Sequence, residues 1–302
     1  ALTTTQLGAL TTQQLAGLSS TQLGALSTSG VDGLSSAQLA SLTTTQLRGL
    51  NAAALSELSS TQVAGLSTSQ LAALTTTQLR GLTGTDVSEL SVAQLGALTV
   101  TQQAGLTANA RAGGTAAQRA ALSTAQLRAL TAAQLGGLTT TTVAALSTTQ
   151  LGALNPAALS GLSSLSVNAL STTQLGALSS SQVGGLSGAA VAALTEDQLA
   201  SLSSVQIAGL GATQLRALTT TAVSLLASTQ LQALTSTQLQ ALAPTELAVL
   251  STGQLQALSS AQLGALATGS LRGLSGDQLS SLRQDQLPGL TTTQLSTLPS
   301  TL

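Results

Sequence analysis

The chain has 302 residues, of which only 6% are charged, and its eight basic residues nearly balance nine acidic ones. It contains no Cys, His, Met or aromatic residue, and all eight basic residues are arginines. This composition excludes disulfides and thiolate metal sites, lacks the usual bases that activate a nucleophile, and provides no positive field to attract nucleic acid. We therefore expect no enzyme, no cofactor and no metal site.

An eight-residue pattern begins at the first leucine and keeps its phase to the end of the chain. Each position of this octad is numbered by the remainder of its residue number after division by eight, so that Leu2 and Leu10 occupy position two. Every position-two site except Gly114 carries leucine, and 34 of 37 position-seven sites carry Leu, Val or Ile. Because no residue is inserted or deleted, we expect one continuous array of about 37 octads over residues 1–302.

The spacing of the leucines disfavours a regular strand and excludes a long continuous helix. Successive leucines are three and then five positions apart, so a strand would send them to opposite faces. A continuous helix would rotate its apolar stripe by roughly 80° per octad. Position three is Ser, Thr or Asn at 32 of 38 sites, and position six is Gln at 26 of 37 sites. These are the two residues of a capping box, so each octad is predicted to be one capped helix of about six or seven residues.

Such short helices are unstable alone and must pack their leucines against neighbouring octads. Position one is mostly Ala or Gly, which allows helices to approach closely. The predicted fold class is all-α, a tight α-solenoid with little or no loop, with two octads assumed per layer. The alternative is a β-solenoid, which the threonine runs favour and the abundance of Ala, Leu and Gln disfavours.

The pattern is irregular at residues 103–119. Gln103, Arg111 and Arg119 replace the aliphatic residue at position seven, and Gly114 replaces the leucine at position two. An arginine in a core position is costly unless it is paired or reaches solvent. We expect this segment to be the weakest part of the array, with a hinge or contact site and simple repeat decay as alternative explanations.

Prolines test the helix assignment. Pro156 and Pro244 fall at position four, the first helical residue, where proline is favoured. Pro299 falls at a cap. Pro288 lies inside a predicted helix and indicates that the last repeats are frayed.

Arginines also mark the variable position eight, which we expect to be the most exposed. Possible inter-subunit contacts are Arg48, Arg80, Arg111, Arg119, Arg128, Arg216 and Arg272. These residues would contact a neighbouring chain or an anionic glycan. Charged residues that merely maintain solubility are the alternative.

The consensus Leu-Ser/Thr-x-x-Gln-Leu/Val-x-Ala/Gly resembles the octapeptide-repeat arrays of large secreted or surface adhesin-like proteins of Gram-negative bacteria. The resemblance covers essentially the whole chain and implies an extracellular or cell-surface filament, stalk or spacer, but it transfers no binding residue.

The function expected from the sequence is therefore structural. Both ends of the sequence lie inside an octad without a polar capping repeat, which predicts either a longer array of the same repeat or end-to-end stacking into a homopolymer. No apolar run is long enough for a membrane span. Two alternatives stay open: a threonine-rich surface that binds ice or glycan, and a passive spacer in a giant adhesin.

Overall fold

A computed structural model describes residues 3–298, apart from the side chains of Ala108, Ala116 and Ala120. The chain divides into two compact units, Ala1–Asn155 and Pro156–Leu302. Both units consist of short helices, and residues 3–298 contain no strand. The prediction of an all-α solenoid is confirmed, and the β-solenoid alternative is wrong. The single continuous domain stays a prediction from the unbroken phase.

The α-helices of the first unit are Thr4–Gly8, Thr12–Ala16, Ser20–Gly24, Thr28–Asp32, Ser36–Ser41, Thr44–Gly49, Ala52–Ser56, Ser60–Ala64, Thr68–Ala73, Thr76–Leu79, Gly84–Glu89, Val92–Gly96, Val100–Gly105, Ala108–Ala112, Ala116–Ala120, Thr124–Arg128, Ala132–Gly136, Thr140–Ala144 and Thr148–Ala153.

The second unit begins with the 3₁₀-helix Pro156–Gly161 and includes two more, Ser270–Gly273 and Leu287–Gly289. Its α-helices are Ser164–Asn168, Thr172–Gly176, Ser180–Gly184, Gly188–Ala192, Glu196–Ser201, Ser204–Ala208, Ala212–Arg216, Thr220–Ser224, Ser228–Gln232, Ser236–Ala241, Pro244–Ala248, Thr252–Ala257, Ser260–Ala265, Gly276–Ser280 and Thr292–Thr297.

The capping boxes predicted from positions three and six are present. Thr43 has extended backbone angles, and its hydroxyl accepts a hydrogen bond from the backbone N–H of Gln46 at 3.2 Å. The Gln46 side-chain oxygen accepts in return from the backbone N–H of Thr43 at 2.9 Å. Where position three is Gly211, Ala227 or Ala243, only this second bond forms. The α-helices are slightly shorter than predicted and span only four to six positions of each octad.

Helices stack on partners three octads away. In the first unit Ser20–Gly24 packs against Thr44–Gly49, and in the second Ser180–Gly184 packs against Ser204–Ala208. The assumption of two octads per layer is therefore wrong. The position-two residue at a helix end, such as Leu42 or Leu50, has extended backbone angles, as does the cap that follows it. The chain changes direction at each such corner, and three corners complete one turn of three octads.

The core of each unit is formed by the aliphatic residues of positions two and seven. In the first unit Leu47 and Leu50 are 0% and 2% exposed, and in the second unit Ile207 and Leu210 are buried to the same degree, at 0% and 3%. Each such side chain contributes about 1.5–3 kcal/mol through burial. Since so short a helix cannot form alone, this shared core is required for every octad to fold.

The position-six glutamine also joins successive turns. The Gln46 amide nitrogen donates to the carbonyls of Leu15 and Leu18 at 2.9 and 2.8 Å. In the second unit Gln206 donates in the same way to Leu175 and Leu178 at 2.8 and 2.7 Å. The Leu18 and Leu178 carbonyls lie just after the end of a helix in the preceding turn, where helix carbonyls run out of backbone donors. Those of Leu15 and Leu175 also accept from the backbone N–H groups of Leu18 and Leu178. One side chain therefore satisfies both the start of its own helix and the end of an earlier one.

Small residues at position one allow turns to approach closely, as predicted. A Cβ added to Gly49 would come within 2.8 Å of the Cα of Ser20, which lies in the preceding turn. In the second unit a Cβ added to Gly209 would lie 2.8 Å from the carbonyl carbon of Ser180. A side chain at either glycine would push two turns apart.

The prolines follow the predicted pattern in part. Pro244 is the first residue of an α-helix, as predicted. Pro156 also starts a helix, but of the 3₁₀ type. Pro288 lies in the short 3₁₀-helix Leu287–Gly289, which replaces the usual α-helix of that octad. Pro299 and both chain ends lie outside the described residues.

Replacing Gln46 with Ala removes one capping bond and leaves the Leu18 carbonyl of the earlier turn without its donor. We expect the free energy of unfolding to fall by about 1–3 kcal/mol, measured by urea denaturation. Gln46→Glu keeps the accepting oxygen but loses the donor, and should also destabilise. The control is Gln13→Ala, because Gln13 is exposed at position five. Equal stability of Gln46→Ala and the control would contradict the bridging role.

Replacing Gly49 with Ala inserts a methyl group between two turns. We expect a loss of about 1–3 kcal/mol in unfolding free energy from overpacking. Gly96→Ala is the matched control, since a Cβ there would meet no atom within 4 Å, and it should stabilise by up to about 1 kcal/mol. Thermal melting of both variants tests whether the two changes in stability have opposite signs. A stabilising Gly49→Ala would refute the close approach of Gly49 to the backbone of Ser20.

Candidate functional site

The five arginines at position eight are exposed. Arg48 donates from Nε to the carbonyl of Ala73 at 2.7 Å, and Arg216 donates to that of Ala241 at 3.4 Å. Both acceptors lie in the next turn of the same unit. The other three are Arg80, Arg128 and Arg272. Their side chains make no hydrogen bond or ion pair within residues 3–298.

These exposed arginines do not form a single row. Arg80 and Arg128 are six octads apart, which is two full turns, so they share one side of the first unit. Arg48 lies four octads before Arg80 and therefore belongs to another side. In the second unit Arg216 and Arg272 are seven octads apart and lie on neighbouring sides. A lateral contact through both Arg48 and Arg80 would therefore involve more than one side of the first unit, whereas Arg80 and Arg128 can be used together from one side.

The irregular residues of the segment 103–119 line one cavity inside the first unit. Its volume is about 40 Å³, and its polar or small lining residues in this segment are Gln103, Arg111, Gly114 and Arg119. The rest of the wall comprises Gln134 and the aliphatic residues Val87, Leu95, Leu106, Leu122, Leu127, Leu130, Leu138 and Leu146. Because positions two and seven face inward in every octad, substitutions in successive octads meet in the same core. The sequence shows these substitutions, but it does not show that their side chains line one cavity.

The backbone of this segment keeps the regular pattern. The helices Val100–Gly105, Ala108–Ala112 and Ala116–Ala120 begin after threonine caps whose hydroxyls accept backbone N–H groups, as elsewhere. Gly114 takes the place of a leucine, and this exchange leaves space beside Arg111 and Arg119. The repeat therefore continues, with altered side chains facing its core.

Arg111 is buried without a counter-charge. Its side chain is 9% exposed, and its Nε and Nη2 atoms are buried with no hydrogen-bond partner. Burial lowers the pKa of Arg111 to about 10, so the guanidinium still carries its charge at neutral pH. Residues 3–298 contain one ion pair, between Arg283 and Asp285, and it does not involve this cavity.

Arg119 is only partly satisfied. Its Nη1 donates to the carbonyls of Gly114 and Ala112, whereas its Nε is buried without a partner. Burial also lowers the pKa of Arg119. The glutamines of the wall are already engaged: Gln103 donates to the Leu95 carbonyl at 2.9 Å and Gln134 to the Ala104 carbonyl at 2.7 Å. The cavity thus offers cationic donors with no acidic residue among its lining.

The predicted inter-subunit contacts therefore lie in two environments. Arg111 is enclosed and Arg119 is half-buried in the core, so a contact with another chain through them would require the core to open. The other five point outward. Within the described part of the chain, no group of three or more acidic side chains is placed to hold a metal ion. No helix of residues 3–298 has the length and apolarity needed to cross a bilayer.

Comparison with known proteins identifies the repeat. A family model described as the ALTTAQ repeat matches residues 12–44, 44–76, 117–148, 143–180 and 167–204. The matched stretches, 12–76 and 117–204, together cover just over half of the chain. The irregular segment 103–119 lies almost wholly between them. A search of curated proteins finds no match to the chain.

Restoring the repeat's leucine at Arg111 should stabilise the protein. Replacing a buried unpaired charge with an aliphatic side chain removes its desolvation cost, and we expect Arg111→Leu to raise the unfolding free energy by about 1–4 kcal/mol. The matched control is Arg128→Leu at an exposed position, which should change stability by less than about 0.5 kcal/mol. Urea denaturation in a buffer without chloride measures both, and a destabilising Arg111→Leu under that condition would show that the arginine is paired within the protein.

Proposed function

The chain belongs to the ALTTAQ repeat family, and we propose that it serves a structural role as a filament, stalk or spacer subunit at the cell surface or outside the cell. The observation that carries this proposal is the repetition of the same contacts every three octads. Each turn contacts the next through the same leucines, the same small residues and the same glutamine hydrogen bonds. An array of this kind can be lengthened by octads without a new type of contact.

The composition supports an extracellular location. The chain has no lysine and no aromatic residue, so trypsin and chymotrypsin find few cleavage sites. The resemblance to octapeptide arrays of large secreted adhesin-like proteins favours the same location. The proposed partner is a further copy of the same repeat, in a homopolymer or a longer array.

Lateral contacts would use Arg80, Arg128 and Arg272, whose side chains make no bond to the part of the chain that the structure describes. Their side chains are exposed, and the acidic residues of a neighbouring copy are suitable partners. Such contacts weaken as salt rises, because exposed charge pairs are screened.

A threonine surface for ice or glycan is the weaker alternative. Position-five residues three octads apart lie on one side of a unit, and the first such set reads Thr5, Ser29, Ala53 and Thr77. Alanine interrupts this line of hydroxyls. Thermal hysteresis or binding on a glycan array would support the alternative.

Sedimentation and negative-stain electron microscopy of the whole chain test the structural proposal. We expect association that increases with protein concentration and decreases with salt. The triple variant Arg80→Gln, Arg128→Gln, Arg272→Gln should associate less. Arg283→Gln is the control, because Arg283 is already paired with Asp285 at 3.0 Å. A monomer at every concentration would contradict self-assembly.

A further inference from the structure

The cavity in the first unit combines three features that a ligand site requires. It is lined mainly by aliphatic side chains, it has a volume of about 40 Å³, and two guanidinium groups lie in its wall. Nε and Nη2 of Arg111 and Nε of Arg119 are buried donors without an acceptor. Most buried polar groups in proteins are paired, so three orphaned donors at one cavity indicate an absent acceptor.

The acceptor must be negatively charged. Burying a charge costs several kcal/mol unless a counter-charge or metal offsets it, and water can bond to a guanidinium without neutralising it. Residues 3–298 supply no counter-charge, because no acidic residue lines the cavity. The side-chain nitrogens of Gln103 and Gln134 are donors and are already bonded to backbone carbonyls.

Size and hydration restrict the class of anion. A cavity of this volume accommodates roughly three water molecules, so an organic carboxylate of metabolite size does not fit. An aliphatic wall offers no bonds to replace the strong hydration of a divalent oxyanion. The guanidinium group is more weakly hydrated than an ammonium, so it loses less hydration when it is buried beside an anion.

We infer that this cavity binds a small monovalent inorganic anion of the chloride class, held between the guanidinium groups of Arg111 and Arg119. Gln103, Arg111 and Arg119, which replace aliphatic residues of the repeat, form the polar part of the wall. Gly114 replaces a leucine and so leaves space for the anion. The site is a property of the first unit alone and is independent of filament formation.

The test is thermal unfolding of the whole chain in sodium chloride, with ionic strength held constant by sodium gluconate, which is too large to enter. We expect the midpoint of the wild-type chain to rise by about 3 °C between about 5 mM and about 500 mM chloride. The double variant Arg111→Leu, Arg119→Leu should lose this response. It restores the repeat's leucines and is therefore expected to fold.

Matched variants make the outcome decisive. Arg128→Leu removes an exposed arginine of the same unit and should keep the chloride response. The single variant Arg111→Leu should reduce it even if the double variant fails to fold. A wild-type midpoint independent of chloride, or a double variant that responds like wild type, overturns the inference. Anomalous scattering from crystals soaked in sodium bromide should place a peak between the two guanidinium groups, and an empty cavity there would also overturn it.

Discussion

The structure depends on the side-chain amide of the position-six glutamine. Such a short helix has almost no internal hydrogen bonds, because its first four N–H groups and last four carbonyls lack partners in the helix. The oxygen of Gln46 accepts at the start of its own helix, and its nitrogen donates to carbonyls in the preceding turn. An acidic residue at position six supplies only the accepting half of this bonding. Glu246 accepts from the Ala243 N–H, but its side chain lacks the amide nitrogen that donates to the earlier turn.

The two-sided bonding of this glutamine explains why the octad keeps its phase over the whole sequence. One inserted residue would move the following glutamines away from their carbonyls and the leucines away from the core. Position one is restricted for a related reason, since Gly49 lies against the backbone of Ser20. Positions five and eight carry neither bond nor core contact in most octads, and there the sequence varies most freely. Arginines therefore accumulate at position eight without disturbing the fold.

Local features were predictable from the sequence, and features that depend on distant octads were not. The helices, their caps and the buried faces follow from residues within one octad, such as Thr43, Gln46 and Leu47. The three-octad turn depends on the angle between helices, which spacing alone does not define. The hydrogen bonds that the glutamine nitrogen donates were not predicted, because the carbonyls that accept them lie in a different turn. The cavity was missed because Gln103, Arg111 and Arg119 belong to three successive octads, and they meet only when these octads close into one turn around the core. A family model matching two stretches on either side of this segment is consistent with its altered core.

A distance across several turns of the first unit measures how many octads form one turn. Thr21 and Ala93 are both exposed at position five of the first unit and lie nine octads apart, or three turns. Since the chain has no cysteine, Thr21→Cys and Ala93→Cys would accept spin labels at these sites alone. With helices stacked about 8–10 Å apart, three turns of three octads give a backbone separation of about 24–30 Å between positions 21 and 93. We expect pulsed electron paramagnetic resonance to measure this distance. A separation of about 36–45 Å, which two octads per turn would give at the same spacing, would contradict the turn of three octads.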